Sequence, residues 1–249
     1  MGFGNFLYLL FDAHRRRSLG DGYRVLRPRA MEPWLTAFPA LRPLSIDRTE
    51  MGRCDRQLGW GFELHNRFGL DFNREQLQAF VRSTLIAGLS GRVGDGEENT
   101  VTLNIRRGDY YAVPYFRGTH SMDTPAYIEV ALDEAIRTGG RATSLVVVSD
   151  GLDWCRSRLD GLLHSFAPSV LYAEGSPLEN FRTVATARRL IGTNSTFSYW
   201  GAYVNDVLHG PTAQVIMPRF HARVGNDHRA YQLDPRWTII EDIPGGWNS

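Results

Sequence analysis

The sequence predicts an α/β fold built on a parallel sheet with right-handed crossovers, and three observations carry that prediction. Beyond residue 100, short apolar strands alternate with amphipathic helices, the order that a parallel sheet and its crossover helices require. The run Ser144-Leu145-Val146-Val147-Val148-Ser149 is continuous and β-branched, as suits a strand covered on both faces. The run Val101-Thr102-Leu103-Asn104-Ile105 starts as a strand and leads straight into Arg106-Arg107-Gly108-Asp109. Two guanidiniums therefore stand just past a strand end, where open α/β sheets bind their ligands.

Each element follows from its local pattern. Phe6, Leu7, Leu10 and Phe11 have helical spacing and close on His14 to Arg17, so a helix with basic residues in its last turn follows the glycine-containing opening Gly2-Phe3-Gly4-Asn5, read as a loop. Such a loop ordinarily follows a strand, which is expected upstream of the first residue. Residues 22–57 are broken by Pro28, Pro33, Pro39 and Pro43 and read as irregular, with one or two short strands. Leu77, Phe80, Val81, Leu85, Ile86 and Leu89 predict an amphipathic helix over 75–89, capped by Asn73. The turn-rich stretch 91–99 divides the chain into 1–97, 98–220 and an irregular tail, 221–249. In the second part a strand at 101–106 is followed by an aromatic-rich loop through Tyr115 and Phe116, then by a helix over 125–137 with Thr124 as its cap. Strands at 144–149, 170–172, 190–191 and 213–217 then alternate with helices at 150–163, 177–187 and 195–208, and the tail holds one short strand at 237–240.

Composition limits the partners. Of 249 residues, 43% are hydrophobic and 22% charged, ordinary for a soluble globular chain. Twenty-eight basic and 27 acidic side chains leave a net charge of +1, which does not fit a nucleic-acid partner. Arg15, Arg16, Arg17, Arg24, Arg27 and Arg29 face only Asp12 and Asp21, a pattern that more often marks a solvated helix end than a ligand face. Cys54 and Cys155 are far apart and make no metal-ligand spacing. The apolar run from Phe6 to Phe11 is too short to span a bilayer and lacks a leader's flanks, so the chain reads as soluble and cytoplasmic.

In a parallel sheet all strand-to-helix turns share one edge. There the sequence places Arg106-Arg107-Gly108-Asp109, Ser149-Asp150-Gly151, Ala173 to Ser176 and Gly192-Thr193-Asn194-Ser195-Thr196-Phe197. A hydroxyl cluster at a helix start offers free N–H groups and the positive dipole end to an anion, although in isolation simple capping by Asn194 or Ser195 explains it better. With two arginines on the same edge, a phosphorylated ligand is the better reading. Asp150 and Asp153 read locally as a helix cap and an exposed charge. Neither a P-loop nor a Gly-x-Gly-x-x-Gly follows a strand, no metal-spaced cluster is present, and no hydrolase nucleophile motif occurs.

Three segments together resemble a known family. Asn104-Ile105-Arg106-Arg107-Gly108-Asp109-Tyr110, Val148-Ser149-Asp150-Gly151-Leu152-Asp153-Trp154-Cys155 and Leu190-Ile191-Gly192-Thr193-Asn194-Ser195-Thr196-Phe197-Ser198-Tyr199-Trp200 are similar, in that order, to motifs of the α-1,2-fucosyltransferases of glycosyltransferase family 11. Gly2-Phe3-Gly4-Asn5 is similar to that family's N-terminal Gly-x-Gly-Asn loop. The resemblance implies a GT-B-like fold of two Rossmann-like halves facing a cleft, the N-terminal half reduced, with 1–97 on the acceptor side and 98–220 holding the nucleotide sugar. It implies transfer of fucose from GDP-fucose, with inversion, to a hydroxyl of a glycan acceptor, without metal or other cofactor; peripheral contact with membrane-linked glycan precursors is compatible with it. By position, Arg106 and Arg107 would hold the diphosphate, Asn194, Ser195, Thr196 and Phe197 would face it, Asp150 would lie near the nucleotide, and Asn5 would enter from the N-terminal half. Arg106, Asp109 and Asn5 are the catalytic candidates, and the base is open between Asp109 and Asp150. Asn104 stands where the family has histidine, Tyr199 where it has tryptophan, and Phe6 where it has glutamine. An inactive nucleotide- or glycan-binding homologue, or a transferase for another nucleotide sugar, are the alternatives.

Overall fold

The computed structural model describes residues 2–52, 66–89 and 99–248. The chain forms two compact units, Met1–Gly91 and Arg92–Ser249. The turn-rich stretch expected to separate two domains lies, but for Asn99, outside the described residues.

In the first unit α1 (Phe3–Ser18) begins earlier than expected, so Gly2 is its cap and Asn5 lies in its first turn rather than in a loop. Phe6, Leu7, Leu10 and Phe11 are buried along one stripe, and Phe11 meets Phe72 and Phe80 with ring centroids 5.1 Å apart. Strands β1 (Val25–Leu26) and β2 (Ser45–Ile46) pair in parallel, and the proline-broken stretch between them also holds the short helix α2 (Glu32–Ala37). Helix α3 (Arg74–Thr84) is capped by Asn73, whose side chain accepts the Gln76 N–H while Gln76 returns the bond. It is shorter than the apolar periodicity suggests because the chain tightens into a 3-10 turn at Ile86–Leu89.

The second unit holds β3 (Thr100–Ile105), α4 (Gly108–Ala112), α5 (Pro114–His120), α6 (Thr124–Gly139), β4 (Ser144–Ser149), α7 (Leu152–Phe166), β5 (Ser169–Tyr172), α8 (Pro177–Thr186), β6 (Arg189–Gly192), α9 (Thr196–His209), β7 (Gln214–Pro218) and β8 (Thr238–Ile240). The expected aromatic loop is thus two short helices: extended Val113 ends α4, and Pro114 restarts the chain at the first position of α5. The cap of α6 is Asp123, which accepts the Ala126 N–H, and not Thr124, whose hydroxyl bonds Tyr111 Oη at 2.9 Å.

The six strands are parallel in the order β5-β4-β3-β6-β7-β8. That is the 3-2-1-4-5-6 order of a Rossmann-like sheet, with its switch point between β3 and β6. Val101, Leu103 and Ile105 pack with Tyr127, Leu132, Cys155 and Leu159 of α6 and α7 on one face. On the other, α9 lies close on α8: a Cβ at Gly201 would sit 2.4 Å from Val184 Cγ1, so only glycine permits this approach. Register pairs Ile105 with Ser149 and Asn104 with Gly192, which brings the first residues beyond β3, β4 and β6 side by side.

Candidate active site

Those residues are Arg106, Asp150 and Thr193. The Arg106 N–H donates to Thr193 Oγ1 at 2.8 Å, and that hydroxyl donates to Asn104 O at 3.1 Å, stitching the ends of β3 and β6 together. The Arg106 guanidinium is held from two sides, by Asp150 Oδ2 and by Asp109 Oδ1, each at 2.5 Å. A guanidinium has five N–H donors, so three remain for a ligand. The other oxygen of Asp150 accepts the Arg107 N–H at 2.6 Å. Asp150 is therefore a bracket on the arginine turn and not a helix cap, since α7 is preceded by Gly151 without a side-chain cap. Gly108 completes the bracket. Its φ is +22°, and a Cβ there would lie 2.3 Å from Asp150 Oδ2.

Arg107 is placed differently from its neighbour. Its Cζ lies 3.3 Å from the ring centroid of Tyr111 and 3.5 Å from that of Trp154, a cation between two rings. Burial lowers its pKa from the usual guanidinium value, with Tyr111 opposing the shift. Tyr111 lies four residues on along the chain, whereas Trp154 comes from α7; neither was read as a partner of Arg107 from the sequence. Trp200, by contrast, is a fully buried anchor.

Opposite the arginine turn, Ser195 caps α9 by accepting the Ser198 N–H at 3.1 Å. The Ser198 hydroxyl donates to Asn104 Oδ1 at 2.7 Å, and Asn104 Nδ2 donates to Val148 O at 3.4 Å, so Asn104 ties β3 to both β4 and α9. The Asn194 amide is spent on structure, donating to His120 O and His221 O. Thr196 and Phe197 are half-buried, and their N–H groups at the start of α9 have no partner among the described residues. Phe197 rests edge-on against Phe181.

A histidine cluster closes the site's flank. His120 Nδ1–H donates to His221 O at 3.2 Å, and its ring stacks on Tyr110, 4.5 Å away. Burial lowers the pKa of His120, pushes His221 down to about 4, and pushes Tyr110 up to about 12. His221 Nδ1 lies 3.2 Å from Tyr199 Oη, at the position where the resembled motif has tryptophan. The structure thus brings together Arg106, Asp109, Asp150, Ser195, Thr196 and Phe197; Arg107 is held within its aromatic stack, and half-buried Asn5 belongs to the first unit. Among the described residues no group of three or more His, Cys, Asp or Glu side chains could hold a metal ion, and no helix is long and apolar enough to cross a membrane.

Comparison with known proteins bears on the same residues. The chain is 33% identical over 147 residues to galactoside alpha-(1,2)-fucosyltransferase 1 of Aotus azarae, covering 57% of this chain and 36% of that protein. It is 31% identical over 196 residues to the enzyme of the same name from Alouatta caraya, covering 74% of this chain and 50% of that protein. The chain therefore spans between about a third and a half of the curated relatives it matches. No solved structure matches it. The model of the family described as glycosyl transferase family 11 matches residues 60–240, a range that includes the arginine turn, Asp150 and the start of α9, and the chain belongs to that family.

Proposed function

We propose that the chain is an inverting fucosyltransferase that moves fucose from GDP-fucose to a hydroxyl of a galactoside-containing glycan. The observation that carries this reading is Arg106 itself: its main chain is tied at the switch point to Thr193, two residues before the cap of α9, and its guanidinium is fixed by Asp150 and Asp109 with N–H donors to spare. As the bond between fucose and the diphosphate breaks, negative charge grows on the departing GDP. The spare donors of Arg106 and the positive end of α9 stabilise that charge more than they do the intact donor. Asp150 supports the reaction indirectly by aiming Arg106. Both of its oxygens are engaged, whereas Asp109 has only Oδ1 bonded among the described residues. Asp109 is accordingly the carboxylate placed to take the proton of the acceptor hydroxyl. The aromatic stack of Arg107 fixes the turn, and its charge contributes to the local field without direct bonding.

The same reading takes the architecture as GT-B with a reduced first half, and the location as cytoplasmic, with peripheral access to membrane-linked glycan precursors. Isothermal titration with GDP tests it directly. Wild-type chain binds and Arg106→Ala loses at least about tenfold in affinity, the worth of one charge-assisted hydrogen bond. Equal affinity in both overturns the reading; GDP binding without turnover of GDP-fucose assigns an inactive binding homologue instead.

A further inference from the structure

Several arginines of the second unit sit against a carboxylate: Arg137 on Glu134, Arg156 on Glu174, Arg219 on Asp227, Arg229 on Glu241 and Arg236 on Asp206. Arg117 and Arg223 depart from that pattern, since among the described residues neither has an acidic partner. Both line one cavity of about 490 Å3, together with Tyr111, Pro114, Ser121 and Asn248. Arg223 is half-buried, and its guanidinium donates to Asn248 Oδ1 at 3.2 Å, to Gly118 O and Trp247 O at 3.4 Å and to Ser121 Oγ at 3.5 Å. These bonds are long and every acceptor is neutral. Arg117, in the last turn of α5, is exposed and has no side-chain partner among the described residues. Among the described residues no carboxylate lines the cavity. Two cations facing a half-enclosed space without a counter-charge raise its potential, and a partly desolvated charge gains most from an opposite one.

The cavity adjoins the arginine turn. Tyr111 forms part of its wall and also stacks on Arg107, and α4 and α5 follow directly from Arg106. A ligand held there lies beside the donor, which is where an acceptor belongs. We propose that this cavity holds an anionic group of the acceptor glycan, a carboxylate or a phosphate, bridged by Arg117 and Arg223. The proposal rests on the transferase reading above and names the class of acceptor that this reading leaves open.

Isothermal titration of the full chain with three soluble β-galactosides tests it: one neutral, one bearing a carboxylated sugar and one bearing a phosphate. At least one charged ligand should bind about tenfold tighter than the neutral one, and which of them gains assigns the source of the anion. That advantage should fall to within about twofold in Arg117→Gln, an exposed position, and in Arg117→Gln/Arg223→Gln, while GDP affinity is retained. Equal affinity for the three ligands, or an advantage that survives in both variants, overturns the proposal. So does a parallel loss of GDP affinity, which assigns the cavity to the nucleotide. Failure of the transferase reading gives a different result, charge-dependent galactoside binding with no affinity for GDP.

Discussion

The two edges of the six-stranded sheet each fix an arginine at a strand end, by opposite means. At the carboxyl edge Arg106 follows β3 and is gripped by two side-chain carboxylates, both on exposed residues. At the amino edge Arg189 opens β6, is 4% exposed, and donates to Ala135 O and Gly140 O at the end of α6 and to Gln214 Oε1. A cation there answers the negative end of the α6 dipole. Backbone carbonyls within a helix end cannot move without unwinding it, whereas side-chain carboxylates can rotate away. One arginine is thus a rivet and the other a hand that can change its grip.

Four experiments break or sharpen that contrast, in order of expected size. Arg106→Ala should lower GDP-fucose turnover by about 10²–10³, with a midpoint of chemical denaturation close to wild type, because an exposed ion pair contributes little to stability. Arg189→Met should do the reverse, costing about 2–4 kcal/mol in denaturation by leaving Gly140 O and Gln214 Oε1 without their donor, with GDP affinity unchanged. A chain in which both variants behave alike would erase the distinction.

The third concerns pH. Burial holds His221 at about 4, below the 6.5 of an exposed imidazole, and lowers His120 in the same sense. As pH falls the unfolded chain takes up these protons first, so the stability they contribute is complete above 6.5 and drains away towards 4. Part of His221 reaches solvent although its Nδ1 is enclosed against Tyr199, so we set the loss at on the order of 2 kcal/mol rather than the full value of the shift. Melting curves from pH 7 to 4 should show it, and His221→Asn should flatten the slope. The guanidinium of Arg189 does not titrate in that range, so Arg189→Met should shift the curve without changing its shape. The smallest effect is expected at Ser195→Ala, about 1 kcal/mol for a lost helix cap, read in the same denaturation assay.

What the sequence could reveal divides along the range of the interactions. Capping by Asn73, the stripe of α1 and the alternation of strands and helices are set by neighbours within a few residues and were legible; the cap of α9 was narrowed to Asn194 or Ser195. The aromatic stretch after Asp109 was misread because Pro114 suggests a break, whereas it begins a second helix. Thr124 looked like the cap because it precedes Pro125, but its hydroxyl serves Tyr111. Strand order, and with it the meeting of Arg106, Asp150 and Thr193, depends on contacts 40 to 90 residues apart, which no local pattern encodes. The strand-to-helix turns still named residues that meet, because a parallel sheet must gather them on one edge. Trp154 over Arg107 and the cavity between Arg117 and Arg223 had no sequence signal at all.

Asp150 answers to two masters, the side chain of Arg106 and the main chain of Arg107. An amide whose nitrogen lies 2.6 Å from a carboxylate oxygen has a proton that resonates downfield of its neighbours, and its frequency follows the strength of that bond. When a ligand takes the spare donors of Arg106, the bond from Arg106 to Asp150 should weaken and the Arg107 signal should move with it. The molecule therefore carries its own occupancy gauge: one backbone resonance, requiring no label, that registers whether the neighbouring guanidinium has been claimed.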